Sequence, residues 1–147
     1  MGKSLADLAK KMNRAADRSE KVASELSKKF VYEIAFRLVY DTPVDTSTAL
    51  SNWQVFLNNP APDEIGAYSL GQRGTTQAAS ASAALREAQA ELARKQPGQV
   101  VYLSNLVDYI KRLNEGSSAQ APPGFIEASV YAARIVTFKG FKTNLFK

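Results

Sequence analysis

Six carboxylates in the middle of the chain, Asp41, Asp45, Asp63, Glu64, Asp108 and Glu115, are the first place to look for chemistry, because a facing pair could move protons or hold a hard cation. Their spacing argues against both uses. There is no Asp-x-Asp-x-Asp loop and no Glu-x-x-His, so surface and capping roles are expected. Asp45, in Pro43-Val44-Asp45-Thr46, reads as an Asx turn that accepts from the backbone two residues on. The chain has no Cys and no His, which removes thiolate nucleophiles, disulfides, the usual general base and the commonest metal ligand. Gly71-Gln72-Arg73-Gly74-Thr75-Thr76 has the glycines of a phosphate loop but not its Gly-Lys-Ser/Thr ending or a buried strand before it. It reads as a mobile loop whose Arg73 becomes a contact in an assembly. The expectation is a non-enzyme without cofactor or metal.

Basic side chains offer a second kind of chemistry. Lys10, Lys11, Arg14, Arg18, Lys21, Lys28 and Lys29 precede the first aromatic residue, Phe30, so base stacking is not expected among them. Such a row can touch phosphates without sequence preference, and Lys10, Lys11 and Lys21 are the candidate DNA-facing residues. Interspersed Asp7, Asp17, Glu20 and Glu25 favour a mixed-sign helix at a subunit contact instead. The net charge of +5, from 19 basic and 14 acidic side chains, is uneven: both ends are basic and the middle is mildly acidic. Solvated faces account for this, and so does attraction to a polyanion or an acidic partner.

The elements that must position these residues follow from periodicity. Leu5, Leu8, Met12, Ala15, Ala16, Ala23, Leu26, Phe30, Ile34 and Leu38 recur every three or four residues, on one helical face, with Ser4 and Asp7 placed to cap its start. Run on to Tyr40, this helix is roughly 37 residues and about 55 Å long at ~1.5 Å per residue, whereas a globule of this size is roughly 40 Å across. Residues 1–25 are therefore expected to project, with Leu5, Leu8, Met12, Arg14 and Arg18, together with Arg73, as subunit contacts. Only the half from Phe30 to Tyr40 is apolar on enough sides to be core.

Thr42-Pro43 ends that helix. Residues 52–58 alternate as a half-buried strand with Trp53, Val55 and Leu57 on one face, and 58–75, rich in Pro and Gly, reads as a mobile loop. Thr75 or Thr76 can cap an Ala-rich helix that Gln96-Pro97-Gly98 stops near Lys95. Residues 99–103 suit a second strand, 107–114 one or two helical turns ending at Gly116, and 123 or 125 to 138 a last helix that Gly140 can stop. The prediction is one α+β domain over 1–147: a long N-terminal helix packed on a small, mainly antiparallel sheet, with an Ala-rich second helix and a C-terminal helix. With 45% hydrophobic residues the composition is that of a globular domain. No run approaches the ~18 apolar residues of a membrane span, and residues 1–11 lack a secretory h-region, so no membrane contact and a cytoplasmic site of assembly are expected.

Two segments carry more than generic physics. Asp41-Thr42-Pro43-Val44-Asp45-Thr46-Ser47, with Leu50-Ser51-Asn52-Trp53 downstream, and Leu103-Ser104-Asn105, leading into Asp108-Tyr109-Ile110-Lys111-Arg112-Leu113-Asn114-Glu115-Gly116, resemble the tail-completion, or head–tail joining, family of tailed bacteriophages. The order matches from about Lys28 to Ala133 and includes the loop Gln120-Ala121-Pro122-Pro123-Gly124-Phe125. Pro43, Asp45, Trp53, Asn105, Tyr109, Glu115 and Gly116 fall on the family's motif, where structural roles are implied. Ser47 stands where the family usually has Gly, which argues against a positive-φ turn at that point.

The resemblance implies a virion protein of the neck or tail top, made in the bacterial cytoplasm. Such proteins form homo-oligomeric rings, commonly sixfold or twelvefold, around the DNA passage. Neighbouring neck, tail-terminator or tail-tube proteins are the implied partners, with non-specific contact to packaged DNA. A small basic nucleic-acid-binding protein outside a virion is the alternative, on the strength of a pI near 9.5.

Overall fold

The structure, a computed structural model, describes residues 4–139. In chain order the elements are α1 (Leu5–Asp41), α2 (Thr48–Ser51), β1 (Gln54–Leu57), α3 (Gln77–Ala93), β2 (Val101–Ser104), α4 (Ile110–Asn114) and α5 (Phe125–Phe138). The fold is α+β, mostly helical, and its sheet is one antiparallel pair in which Val55 faces Leu103 and Leu57 faces Val101. No helix among the described residues is long and apolar enough to cross a membrane.

α1 begins at the expected capping box. The Asp7 amide donates to Ser4 Oγ at 3.1 Å, and the Ser4 amide donates back to Asp7 Oδ2 at 3.2 Å. It ends as expected at Thr42, whose backbone is extended ahead of Pro43. Residues 4–18 are all exposed, and the first buried residue of α1 is Ser24. There Lys95, buried just beyond α3, donates from Nζ to Ser24 Oγ at 3.0 Å and marks where the domain begins.

From Phe30 onward α1 is the spine. Its buried Ile34, Ala35, Leu38 and Val39 meet Ala81, Ala84 and Leu85 of α3, Phe125 and Ala133 of α5, and Trp53. Ala81 and Ala84, small and buried on α3, let it pack closely on α1. The sheet packs mainly on α3, through Val55, Ala88 and Leu92, with Val31, Val101 and Leu103 against them. α1 therefore has two helices as its chief neighbours and meets the sheet along one edge. α5 runs antiparallel to it, since Ser129 Oγ donates to Asp41 Oδ2 at one end (2.9 Å) and the Phe138 and Phe30 rings lie 5.5 Å apart at the other.

Several local expectations change. β1 starts at Gln54, because the residues before it form the short helix α2 that the alternating pattern conceals. Thr76 precedes α3 but does not cap it; its hydroxyl is instead 2.9 Å from Ser47 Oγ. Ser47 takes a left-handed conformation, φ 70°, despite carrying a Cβ. The cost, about 1–2 kcal/mol for a non-glycine residue, is offset by Ser51 Oγ donating to Ser47 O (2.7 Å) and by the Thr76 contact. Gly140, proposed to stop α5, lies outside the described residues.

Trp53 fills the space beside Ile34 and Leu38, as its place in the sequence predicts, and its indole N–H donates to buried Thr42 Oγ1 at 2.8 Å. Trp53→Ala is expected to cost about 3–5 kcal/mol in urea denaturation. Trp53→Phe, which keeps most of the volume and loses the hydrogen bond, should cost distinctly less. An unchanged midpoint for Trp53→Ala would reject this placement.

Candidate functional site

The two motif segments meet. Pro43, Val44, Asp45, Thr46 and Ser47 from the first, and Tyr109 and Leu113 from the second, line one cleft of about 150 Å³ together with Thr48, closed by Ser118 and Gln120. Gln120 clamps it: the Val44 amide donates to Gln120 Oε1 (2.9 Å), and Gln120 Nε2 donates back to Val44 O (3.2 Å). Asn105 reaches across from the end of β2, donating to Ala49 O at 2.8 Å. Gly116, at φ 98°, passes so close to Pro123 that a Cβ would lie 2.7 Å from its ring. Glu115 is exposed and only 4.0 Å from Lys111, so it stays at the rim.

Asp45 is not the local Asx turn expected. Its Oδ1 accepts from the Arg73 amide (2.7 Å) and its carbonyl from the Gly74 amide (2.9 Å), so it fastens a loop 28 residues away. This leaves Arg73 at the Asp45 end of α1, far from Leu5, Leu8 and Met12; the expected contact group is split along a helix about 55 Å long.

A set of short buried polar side chains, to which the sequence reading gave no such role, holds the rest of that loop. Asn52, fully buried, donates from Nδ2 to Thr48 O (2.9 Å) and Ile65 O (2.7 Å) and accepts the Ile65 amide at Oδ1 (2.8 Å). Ser51 Oγ accepts from the Tyr68 amide (3.1 Å), and Ser80 Oγ both accepts from and donates to Ser69 backbone (3.0 Å each). The segment 58–75 is irregular, as expected, but it is tethered at Ile65, Tyr68, Ser69, Arg73 and Gly74, which corrects the expectation of a loose loop. Buried Ser and Asn in a helical context are the signal for such tethers.

A groove of about 730 Å³ runs beside β1, between residues 65–68 and α3, lined by Trp53, Val55, Ile65, Tyr68, Glu87 and Glu91 among others. Glu91 Oε1 accepts the Leu57 amide at 3.3 Å and also pairs with Arg94, so it is engaged in holding the strand edge. Partial burial, with Glu87 nearby, raises the Tyr68 phenol above its ordinary pKa; burial together with Glu64, Asp108 and Asp45 does the same for Tyr109. Among the described residues no three Asp or Glu side chains gather to hold a metal ion.

Two surfaces remain uncovered. Along the first half of α1, Leu5, Leu8 and Met12 are 86%, 53% and 63% exposed. Lys10, Lys11, Arg14, Arg18 and Lys21 flank them, none within ion-pair distance of a carboxylate among the described residues. The structure thus brings together all the proposed subunit-contact and DNA-facing residues except Arg73. The second surface is α5, ten of whose fourteen residues are apolar and whose extensive neighbour among the described elements is α1. Tyr131, Ile135, Val136 and Phe138 stay exposed, as do Phe36 and Tyr40 of α1. A helix apolar on nearly all sides is normally buried on all sides, and that composition was the available signal. Compared with family models, curated proteins and solved structures, the chain has no match.

Asn52→Ala strands the Ile65 carbonyl and amide, and should cost about 2–4 kcal/mol while accelerating amide exchange around Ile65. The raised phenols make a second expectation. Their neutral form is favoured in the folded state, so their contribution is present at neutral pH and lost as pH climbs through the tyrosine range above about 10. Thermal midpoints measured from about pH 8 to 11 should fall less steeply for Tyr68→Phe/Tyr109→Phe than for the parent.

Proposed function

We propose that this protein is a structural subunit of the neck or tail top of a tailed bacteriophage, which assembles into a ring that joins or completes the tail at the head–tail junction around the DNA passage. One observation carries the assembly part of the reading: α1 leaves its own domain for some fourteen residues with its apolar stripe exposed. An isolated helix of that length is marginal in water, and the stripe cannot fold back on the domain of which the helix is the spine. Another molecule is the natural cover. A stripe at one end of α1 and an apolar α5 face at the other are different surfaces on one subunit, which suits head-to-tail contacts that close by rotation.

The phage assignment rests on the resemblance, and it draws support from the packing of the two ordered motifs into one cleft. Ser47 has the left-handed backbone for which the family's usual Gly is suited. The motif residues Pro43, Asp45, Trp53, Asn105, Tyr109 and Gly116 then act as the frame that holds the interaction surfaces, and the working parts are the arm and α5. The second reading, a basic protein that binds nucleic acid outside a virion, is favoured by the five arm cations that have no ion-pair partner among the described residues.

Size-exclusion chromatography with light scattering, with and without duplex DNA, separates the two. The expected result is a DNA-independent closed oligomer. Deleting residues 1–22 should leave the thermal midpoint within a few degrees of the parent but abolish the oligomer, because residues 4–18 are all exposed and none is part of the core. A full-length monomer at all concentrations, or an oligomer untouched by the deletion, would overturn the arm's role. A monomer with steeply salt-dependent DNA binding would establish the second reading.

A further inference from the structure

Trp53, Gln54, Val55 and Phe56, consecutive in the chain, all line the 730 Å³ groove. Their side chains alternate between the two faces of the sheet, so the groove follows the edge of β1 and not one face of it. β2 occupies the other edge. The pairing then assigns the backbone groups. The Asn58 amide donates to Val100 O at 2.7 Å, and the register steps back from there through Phe56 opposite Tyr102 and Gln54 opposite Ser104. In an antiparallel ladder these alternate residues hold the hydrogen bonds, while Val55 and Leu57 turn their amides and carbonyls outward. The Leu57 amide confirms the direction, because it meets Glu91 Oε1 of α3 at 3.3 Å. The amide and carbonyl of Val55 have no hydrogen-bond partner among the described residues.

A free amide and carbonyl on a strand edge are the groups that an extended chain recognises. A residue set opposite Val55 would exchange two hydrogen bonds with it, at the ~4.8 Å spacing of neighbouring strands. Its side chain would point the way that of Val55 does, toward α3, where Ala84 and Ala88 leave the groove wall recessed. The residues two positions to either side would share that face. There the wall is acidic: Glu87 has no ion-pair partner among the described residues, and Glu91 is paired with Arg94. Two carboxylates against one guanidinium leave the groove negative, in a chain whose total charge is +5.

We propose that the free edge of β1 takes up an extended, basic segment of a partner protein as a third antiparallel strand. The segment lies between residues 65–68 and α3, with an apolar side chain over Ala84 and Ala88 and a lysine or arginine beside Glu87 or Glu91. Backbone pairing with Val55 supplies the register, and the carboxylates select the charge. This surface is separate from the arm and from α5, and the placement does not depend on the phage reading.

Hydrogen exchange on the full chain tests the premise: the Val55 amide should exchange faster than that of Phe56, which β2 holds. The probe is the blocked peptide acetyl-Lys-Thr-Val-Thr-Lys-amide, which puts valine and both lysines on one face. It should bind saturably at about millimolar concentration or below, slow exchange at Val55, and shift the amide resonances of Val55 and Gly66. The same peptide with N-methylvaline, which cannot donate to Val55 O, should not bind. Replacing both lysines by glutamate should weaken binding, whereas attraction to the net positive chain alone would strengthen it. Glu87→Gln, at an exposed position on α3, should keep the parent thermal midpoint and weaken the lysine peptide about two- to fivefold. Absent binding, equal binding of the N-methyl peptide, or a preference for the glutamate peptide would overturn the proposal. So would protection of Val55 in the free chain equal to that of Phe56, and protection that rises with protein concentration would assign the edge to a second copy instead.

Discussion

α1 is longer than the domain it serves, and that mismatch governs the rest of the structure. At 37 residues it spans about 55 Å, while its apolar character on more than one side is confined to the half beyond Phe30. A two-stranded sheet of four-residue strands has too little surface to cover such a helix, so α3 and α5 must do it. Alanines on α3 permit close approach, and bulky residues on α5 fill the other side. What neither reaches, from the N-terminus to about Ser24, is left as an arm.

With so little sheet, the loops need another means of attachment. The solution is a set of short side chains, Ser51, Asn52 and Ser80, in or next to α2 and α3, where their hydroxyls and amide meet loop backbone. Each replaces a ladder hydrogen bond that a strand would have supplied. The left-handed turn at Ser47 belongs to the same network, because its conformational cost is met by bonds to Ser51 and Thr76 on either side. The Val44–Gln120 pairing does the same for the loop between α4 and α5.

The surfaces that this frame holds out are of two chemical kinds. The arm is a narrow apolar stripe among cations, while α5 with Phe36 and Tyr40 is broad and apolar. Exposed charges set encounter rates and salt dependence, and apolar area sets persistence, so an assembly using both surfaces would be guided by the first and retained by the second. His and Cys are absent from the whole sequence.

Sequence alone determined the features that depend on near neighbours. The capping box at Ser4 and Asp7, the stop before Pro43, the three- and four-residue period of α1, the two strands and the burial of Trp53 were all legible, because helix caps, proline sterics and side-chain periodicity act within a turn or two. Only the tertiary structure decided the pairings across the chain: Asp45 with Arg73, Asn52 with Ile65, Val44 with Gln120, and Lys95 with Ser24, 71 residues apart. A carboxylate or amide accepts equally well from its own turn or from a distant loop. Which it does depends on where packing of α1, α3 and α5 brings the backbone, and no local signal encodes that position. The exposed face of α5 has the same origin: its apolar sequence called for burial on several sides, while among the described elements the fold provides α1 as its extensive neighbour.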